Sequence, residues 1–227
     1  MKKKILALIV ARKNSKGLKN KNIIKINSEP CINWTFKAVK KSKLIDLAML
    51  STDSAKIIRM AKKKGIFTPF IRPKNLSSDN TNVIDVIGHS IKWLKKNKIF
   101  NYKYILLLQA SSPLRTSKHI DGAIRYYFKK LKNPRETLVS VTRAQPKTYW
   151  LLKKKNKYIN FVFKQRRKDF RRQNHPVFYI PNGAIYLCNI KHLKYDFFTK
   201  YTLHYEMDEK SSIDIDTIDD VKKSNSH

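Results

Sequence analysis

The stretch Ile5-Leu6-Ala7-Leu8-Ile9-Val10-Ala11, running straight into Arg12-Lys13-Asn14-Ser15-Lys16-Gly17-Leu18-Lys19-Asn20-Lys21-Asn22, decides the fold. A short continuous apolar run closed by a Gly-containing polar segment reads as a buried parallel strand entering a loop at its carboxyl end. That is the edge at which an open α/β sheet binds its ligand, and here it concentrates cations and main-chain N–H groups. Arg12 follows the strand directly, Gly17 permits a tight turn, and Lys21 is close enough in sequence to converge on the same anion. The order points to a phosphate site; on charge alone, a solvated basic loop is the other reading. Neither a Walker-type phosphate loop nor the three-glycine dinucleotide fingerprint is present.

Outward from this stretch, apolar runs alternate with amphipathic ones. Strand 5–11 precedes helix 31–41, strand 47–51 precedes helix 55–64, and a strand near 68–71 leads to helix 83–96. Strand 104–109 then precedes helix 119–131. This βα rhythm predicts an α/β fold with a doubly wound, mostly parallel, Rossmann-like sheet. The loops after residues 11, 51 and 109 then open on one edge. The rhythm changes after Pro134: 137–142, 149–152 and 158–163 read as strands, 164–176 is very basic, 182–189 returns as a core strand, and 217–223 is a closing helix. The whole chain, 1–227, reads as a single domain.

The 227 residues carry 50 Lys and Arg against 16 Asp and Glu, a formal net charge of +34, yet 41% hydrophobic and 11% aromatic content is that of a globular chain. Scatter of the lysines along the sequence reads as a compositional bias producing a solvated positive surface. Cys31 and Cys188 make no disulfide framework and share no zinc-like spacing with histidine, which suits a reducing, cytoplasmic setting. Residues 1–11 fail as a signal peptide because Arg12 and Lys13 follow without a small-residue cleavage site, and no apolar run reaches the roughly 20 residues of a membrane span.

The segment from Ala11 to Ile23 resembles the nucleotide-binding signature of the acylneuraminate cytidylyltransferases, including the CMP-N-acetylneuraminate, CMP-legionaminate and CMP-pseudaminate synthetases. Further matches follow in the family's order: Ser51-Thr52-Asp53-Ser54, Arg72-Pro73 with Leu76 and Asp79, and Leu108-Gln109-Ala110-Ser111-Ser112-Pro113-Leu114-Arg115. Asn182-Gly183-Ala184-Ile185-Tyr186 and Ser212-Ile213-Asp214-Ile215-Asp216 complete the set. The resemblance implies a nucleotidyltransferase that uses CTP to activate a nine-carbon acidic sugar. It also implies a homodimer built through an arm at about 140–181, with neither specific nucleic acid nor membrane as partner.

By resemblance, Arg12, Ser15, Lys16, Gly17, Lys21, Asn22 and Arg72 bind the nucleotide, with a surface salt bridge the plainer role for Arg72. Arg12 and Lys21 counter the phosphate charge and share the catalytic role with Asp216. Asp214 and Asp216 alternate along an extended segment, so both carboxylates face one hard cation, expected to be Mg2+. Asp219 and Asp220 are assigned to the helix, Asp53 to the cap of the helix that follows it, and Asp79 to its own loop. The sugar side is read from Gln109, Arg115, Lys147, Arg172, Gln173 and Tyr186, since a carboxylated sugar calls for cations and neutral donors. Core packing is the other reading of Tyr186, and a loop cap that of Arg115.

Two departures qualify the match. Lys13 stands where relatives often carry a neutral residue, and Phe178-Tyr179-Ile180-Pro181 precedes Asn182 where some sialic-acid enzymes place an arginine. A cytidylyltransferase for another keto-deoxy acid is therefore one alternative. A basic nucleic-acid-binding protein is the other, although Tyr and Phe are distributed as core residues without an evident stacking platform.

Overall fold

In the computed structural model, which describes residues 3–14, 17–163 and 175–226, β1 (Ile5–Val10) lies inside a six-stranded sheet. It pairs in parallel with β4 (Leu47–Ser51) on one side and β5 (Tyr104–Gln109) on the other. Both faces of β1 are covered, which is why its apolar run is continuous. Ile5, Ala7 and Ile9 pack towards α1 (Cys31–Lys41), α2 (Ala55–Lys63) and α4 (Ser117–Lys130). Leu6 and Leu8 pack towards α3 (Val83–Lys96). Each large apolar side chain so buried contributes about 1.5–3 kcal/mol.

The sheet continues through β9 (Tyr179–Asn189) and β6 (Thr137–Arg143) to β10 (Thr202–Glu206), in the order β10-β6-β9-β5-β1-β4. Only β9 runs against the others, so the sheet is mostly parallel. Two small hairpins stand apart from it: β2 (Lys25–Ile26) with β3 (Glu29–Pro30), and β7 (Leu152–Lys155) with β8 (Tyr158–Phe161). The closing helix α5 is Ile218–Asn225.

Several expectations are corrected. The strand near 68–71 is reduced to an isolated bridge between Phe67 and Met49. Residues 146–150 form a 3-10 turn, and the strand begins only at Leu152. β10 was not foreseen: with one side on β6 and the other open, its pattern lacks the continuous apolar run of a central strand. Asp53 is not the cap of α2; Ser54 is, accepting the Ile57 N–H at 3.4 Å.

Arg115 is the largest correction. Its side chain is 1% exposed. It donates to the carbonyls of Gln109 at 2.9 Å and Ala184 at 2.8 Å, and to the Thr35 hydroxyl at 2.6 Å. Burial lowers its pKa to about 10, so the guanidinium remains charged at neutral pH. It joins β5, β9 and α1 from within and does not reach a sugar carboxylate. Arg115→Met leaves three buried acceptors without a donor, each costing about 1–3 kcal/mol. Urea unfolding is expected to show a loss of at least about 3 kcal/mol.

Candidate active site

Three side chains, Arg72, Asn22 and Asp53, fix the main chain of the loop after β1. Arg72 donates to the Ala11 carbonyl at 3.1 Å, Asn22 to the Arg12 carbonyl at 3.0 Å, and the Lys13 N–H donates to the Asp53 carboxylate at 2.7 Å. Arg72 is 5% exposed, also donates to Ser77, and lies 3.8 Å from Asp53. It is a buried strut, and its ion pair with Asp53 lies mostly beneath the surface. Burial depresses its pKa, and Asp53 opposes that shift.

This loop walls a cavity of about 310 Å³, lined among others by Arg12, Lys21, Asn22, Arg72, Asp79 and Gln109. Gln109 ends β5 and Asn22 is buried on a 3-10 turn, so both are held by main-chain geometry. Arg12 forms an ion pair with Asp79, which also lines the cavity from the loop after Arg72. Asp79 thus enters the site itself. The signal that would have found it is a lone acid at a fixed distance after Arg72-Pro73 in a chain poor in acids.

The carboxyl-terminal acids arrive at the same place. The Ile215 N–H donates to the Ser111 carbonyl at 2.9 Å, and the Ile215 side chain is fully buried with Ile26, Cys31 and Val221. That anchor leaves Asp216 beside the basic loop, where its carboxylate accepts from Lys21 Nζ at 2.6 Å. A Cβ on Gly17 would stand 2.8 Å from the Asp216 carbonyl oxygen, so only glycine allows this approach. Thr217 caps α5 in a reciprocal box with Asp220, and Asp219 pairs with Lys222 at 3.3 Å, leaving both acids to the helix.

Asp214 lies deeper, and its carboxyl pKa is raised, mainly by burial, with a hydrogen bond from Ser111 and the nearby Lys21 acting against the shift. Its Oδ1 is buried without a hydrogen-bond partner. Gly183, at φ +71°, keeps this corner open: a Cβ there would meet Asp214 Oδ2 at 3.2 Å and Gln109 Oε1 at 3.3 Å. An orphaned buried carboxylate oxygen beside a second, 63% exposed carboxylate fits a hard divalent cation. No cluster of three or more His, Cys, Asp or Glu residues occurs among the described residues, so the remaining ligands of such an ion come from substrate or water.

Not every expected residue converges. Tyr186 packs against Phe197 at 5.2 Å between ring centres and belongs to the core on the α3 face. Lys147 is exposed on the turn leading to the β7–β8 hairpin, away from the cavity lining. Ser15, Lys16, Arg172 and Gln173 lie outside the described residues. Sequence reading also missed how Asn182 is held: its amide accepts from Ser140 at 2.6 Å and donates to Ser212 at 2.8 Å, tying β9 to the segment before Asp214.

A mostly parallel sheet with a cationic loop and an acidic pair on one rim defines the class as an α/β nucleotidyltransferase. The chain belongs to the cytidylyltransferase family, whose model matches residues 6–226. It is 33% identical over 218 residues to an N-acylneuraminate cytidylyltransferase of Escherichia coli, covering 95% of this chain and 50% of that protein. It is 30% identical over 225 residues to a pseudaminic acid cytidylyltransferase of Campylobacter jejuni, covering 96% and 94%. The chain therefore spans about half the length of the N-acylneuraminate enzymes it matches and nearly all of the pseudaminate one. In fold it is similar to CMP:2-keto-3-deoxy-manno-octonic acid synthetase, with a TM-score of 0.70 at 12% identity over 98% of this chain and 97% of that one. Enzymes of the family generally depend on a divalent metal. No helix among the described residues is long and apolar enough to cross a membrane.

The raised Asp214 pKa has a consequence for stability. The folded state binds that proton more tightly than the unfolded state, so stability falls as pH rises from the ordinary carboxylate range through the raised value. Asp214→Asn removes the buried charge. Metal-free Asp214→Asn protein is expected to melt above the parent at pH 7, with the difference shrinking in acid, as followed by circular dichroism.

Proposed function

We propose that this chain transfers the cytidylyl group of CTP to the anomeric hydroxyl of a nine-carbon acidic sugar of the sialic type, releasing pyrophosphate. The observation that carries the reading is the 2.6 Å contact between Asp216 and Lys21, a cation of the loop that lines the cavity, which supports an acidic pair standing at the cavity's margin. Relatives named for N-acylneuraminate, pseudaminic acid and diacetyllegionaminic acid support the substrate class.

In this reading Arg12 and Lys21 neutralise the triphosphate, and Arg72 and Asn22 hold the loop that presents them. Gln109, at the rim of the cavity, orients the sugar hydroxyls. The anomeric oxygen bonds to the α-phosphorus, the bond to the bridging oxygen breaks, and pyrophosphate leaves with that electron pair. Asp216 accepts the hydroxyl proton. Asp214 and Asp216 would hold Mg2+, which would offset the negative charge of the triphosphate. The β7–β8 hairpin, with Leu152, Tyr158 and Ile159 exposed, serves as the dimerisation arm. Ile159→Asp is expected to turn a dimer into a monomer in sedimentation analysis.

Pyrophosphate release from CTP with a panel of nine-carbon acids and the eight-carbon keto-deoxy acid tests the reading. Turnover is expected with one nine-carbon acid. Arg12→Ala is expected to raise the KM for CTP at least about tenfold, and Asp216→Ala to lower kcat by about a hundredfold or more. Release with no acid in the panel, or full turnover by Asp216→Ala, defeats it.

A further inference from the structure

The basic residues look scattered along the chain, but the fold sorts them. Each helix of a doubly wound sheet runs back from the carboxyl edge of the strands, so the helix ends gather on the face opposite the cavity. There α1, α2, α3 and α4 each close on a pair of lysines, from Lys40 and Lys41 to Lys129 and Lys130, and all of these side chains are exposed. The helix dipole favours a cation at such an end. It does not account for the missing counter-charge. The described acids on this face, Asp46, Asp121, Glu136 and Asp196, each accept a main-chain N–H, from Ile5, Lys43, Lys132 and Phe197.

Two clefts of about 560 and 580 Å³ open on the same face. One is lined by Lys3, Lys4 and Lys103 with Phe100 and Tyr102. The other carries Arg135, Lys194 and Lys200 with Tyr195, Phe198 and Tyr201. They adjoin where the Ile190 N–H donates to the Lys103 carbonyl at 3.0 Å. Tyr195 is 84% exposed, and Phe198 and Ile99 also stand out into solvent.

We propose that this face docks on an anionic lipid surface, leaving the nucleotide cavity turned towards solvent. The charge is supplied almost wholly by lysine, a hydrated point charge suited to a diffuse field of headgroups. Aromatic and aliphatic tips among those lysines suit the depth of a bilayer interface. A single-stranded nucleic acid calls instead for open ring faces along a groove. Here Lys95, Lys103 and Lys200 already stand over Phe100, Tyr104 and Tyr201.

The test is sedimentation of the full chain with vesicles of equal parts phosphatidylglycerol and phosphatidylcholine, against pure phosphatidylcholine, over a range of salt. Binding is expected only to the anionic vesicles and weakening with salt. Neutralising Lys40, Lys41, Lys95 and Lys96 to Gln should lower the partition at least about tenfold. The same change in charge on the hairpin, with Lys153, Lys154, Lys155 and Lys157 to Gln, should lower it less than about twofold. Should the first variant fail to fold, the double change Tyr195→Ser and Phe198→Ser, expected to reduce binding at high salt, stands in its place. Equal losses from both lysine sets, equal binding to neutral vesicles, or displacement from the vesicles by a single-stranded oligonucleotide that needs the same lysines, would overturn the proposal.

Discussion

The site depends on one contact between distant parts of the chain: Lys21 and Asp216, 195 residues apart in sequence, at 2.6 Å. It is backed by the close approach of Gly17 to the Asp216 carbonyl. Neither cluster does the chemistry alone. A cationic turn suits any phosphate, and an acidic pair suits any hard cation; under the proposed function only their meeting would confine both to one triphosphate. The meeting is enforced by packing, because Ile215 is buried between the acids and hydrogen-bonded to the loop after β5.

Around that contact the site is balanced in charge. Arg12 is paired with Asp79 and Lys21 with Asp216, so the cations that would meet a triphosphate are held in place by carboxylates from other segments. Deeper cations have a different task. Arg72 and Arg115 are buried and donate to main-chain carbonyls and to the Ser77 and Thr35 hydroxyls, where each joins segments that carry site residues. A buried guanidinium with satisfied acceptors is rigid, because removing it strands those acceptors. The loop after β1 is therefore set before any ligand arrives.

Much of the fold is legible in the sequence. Continuous apolar runs mark β1, β4 and β5 because these strands are covered on both faces, and amphipathic stretches mark the helices between them. β10, half-exposed at the sheet edge, leaves no such trace, and the apolar residues near 68–71 overstate what is only a single bridge at Phe67. In the candidate site, the order after β1 singles out Arg12 and Lys21, whereas the choice of Asn22, and of a metal pair over an acidic turn for Asp214 and Asp216, leans on the family resemblance. Arg115 is not legible: a cation near a strand end looks the same whether it faces a ligand or a core. Tyr186 is ambiguous for a similar reason, since an aromatic residue in a core strand serves packing as readily as binding.

The amino-acid order by itself determined the βα rhythm, the edge on which the loops open, and the residue types that a nucleotide triphosphate requires, since these follow from periodicity and local chemistry. Tertiary structure alone decided which cations face solvent, which carboxylate keeps an unpartnered oxygen, and that the lysine pairs ending four separate helices share the face away from the cavity. Burial, partner and facing are properties of contacts between distant segments. They exist only once the sheet has brought those segments together.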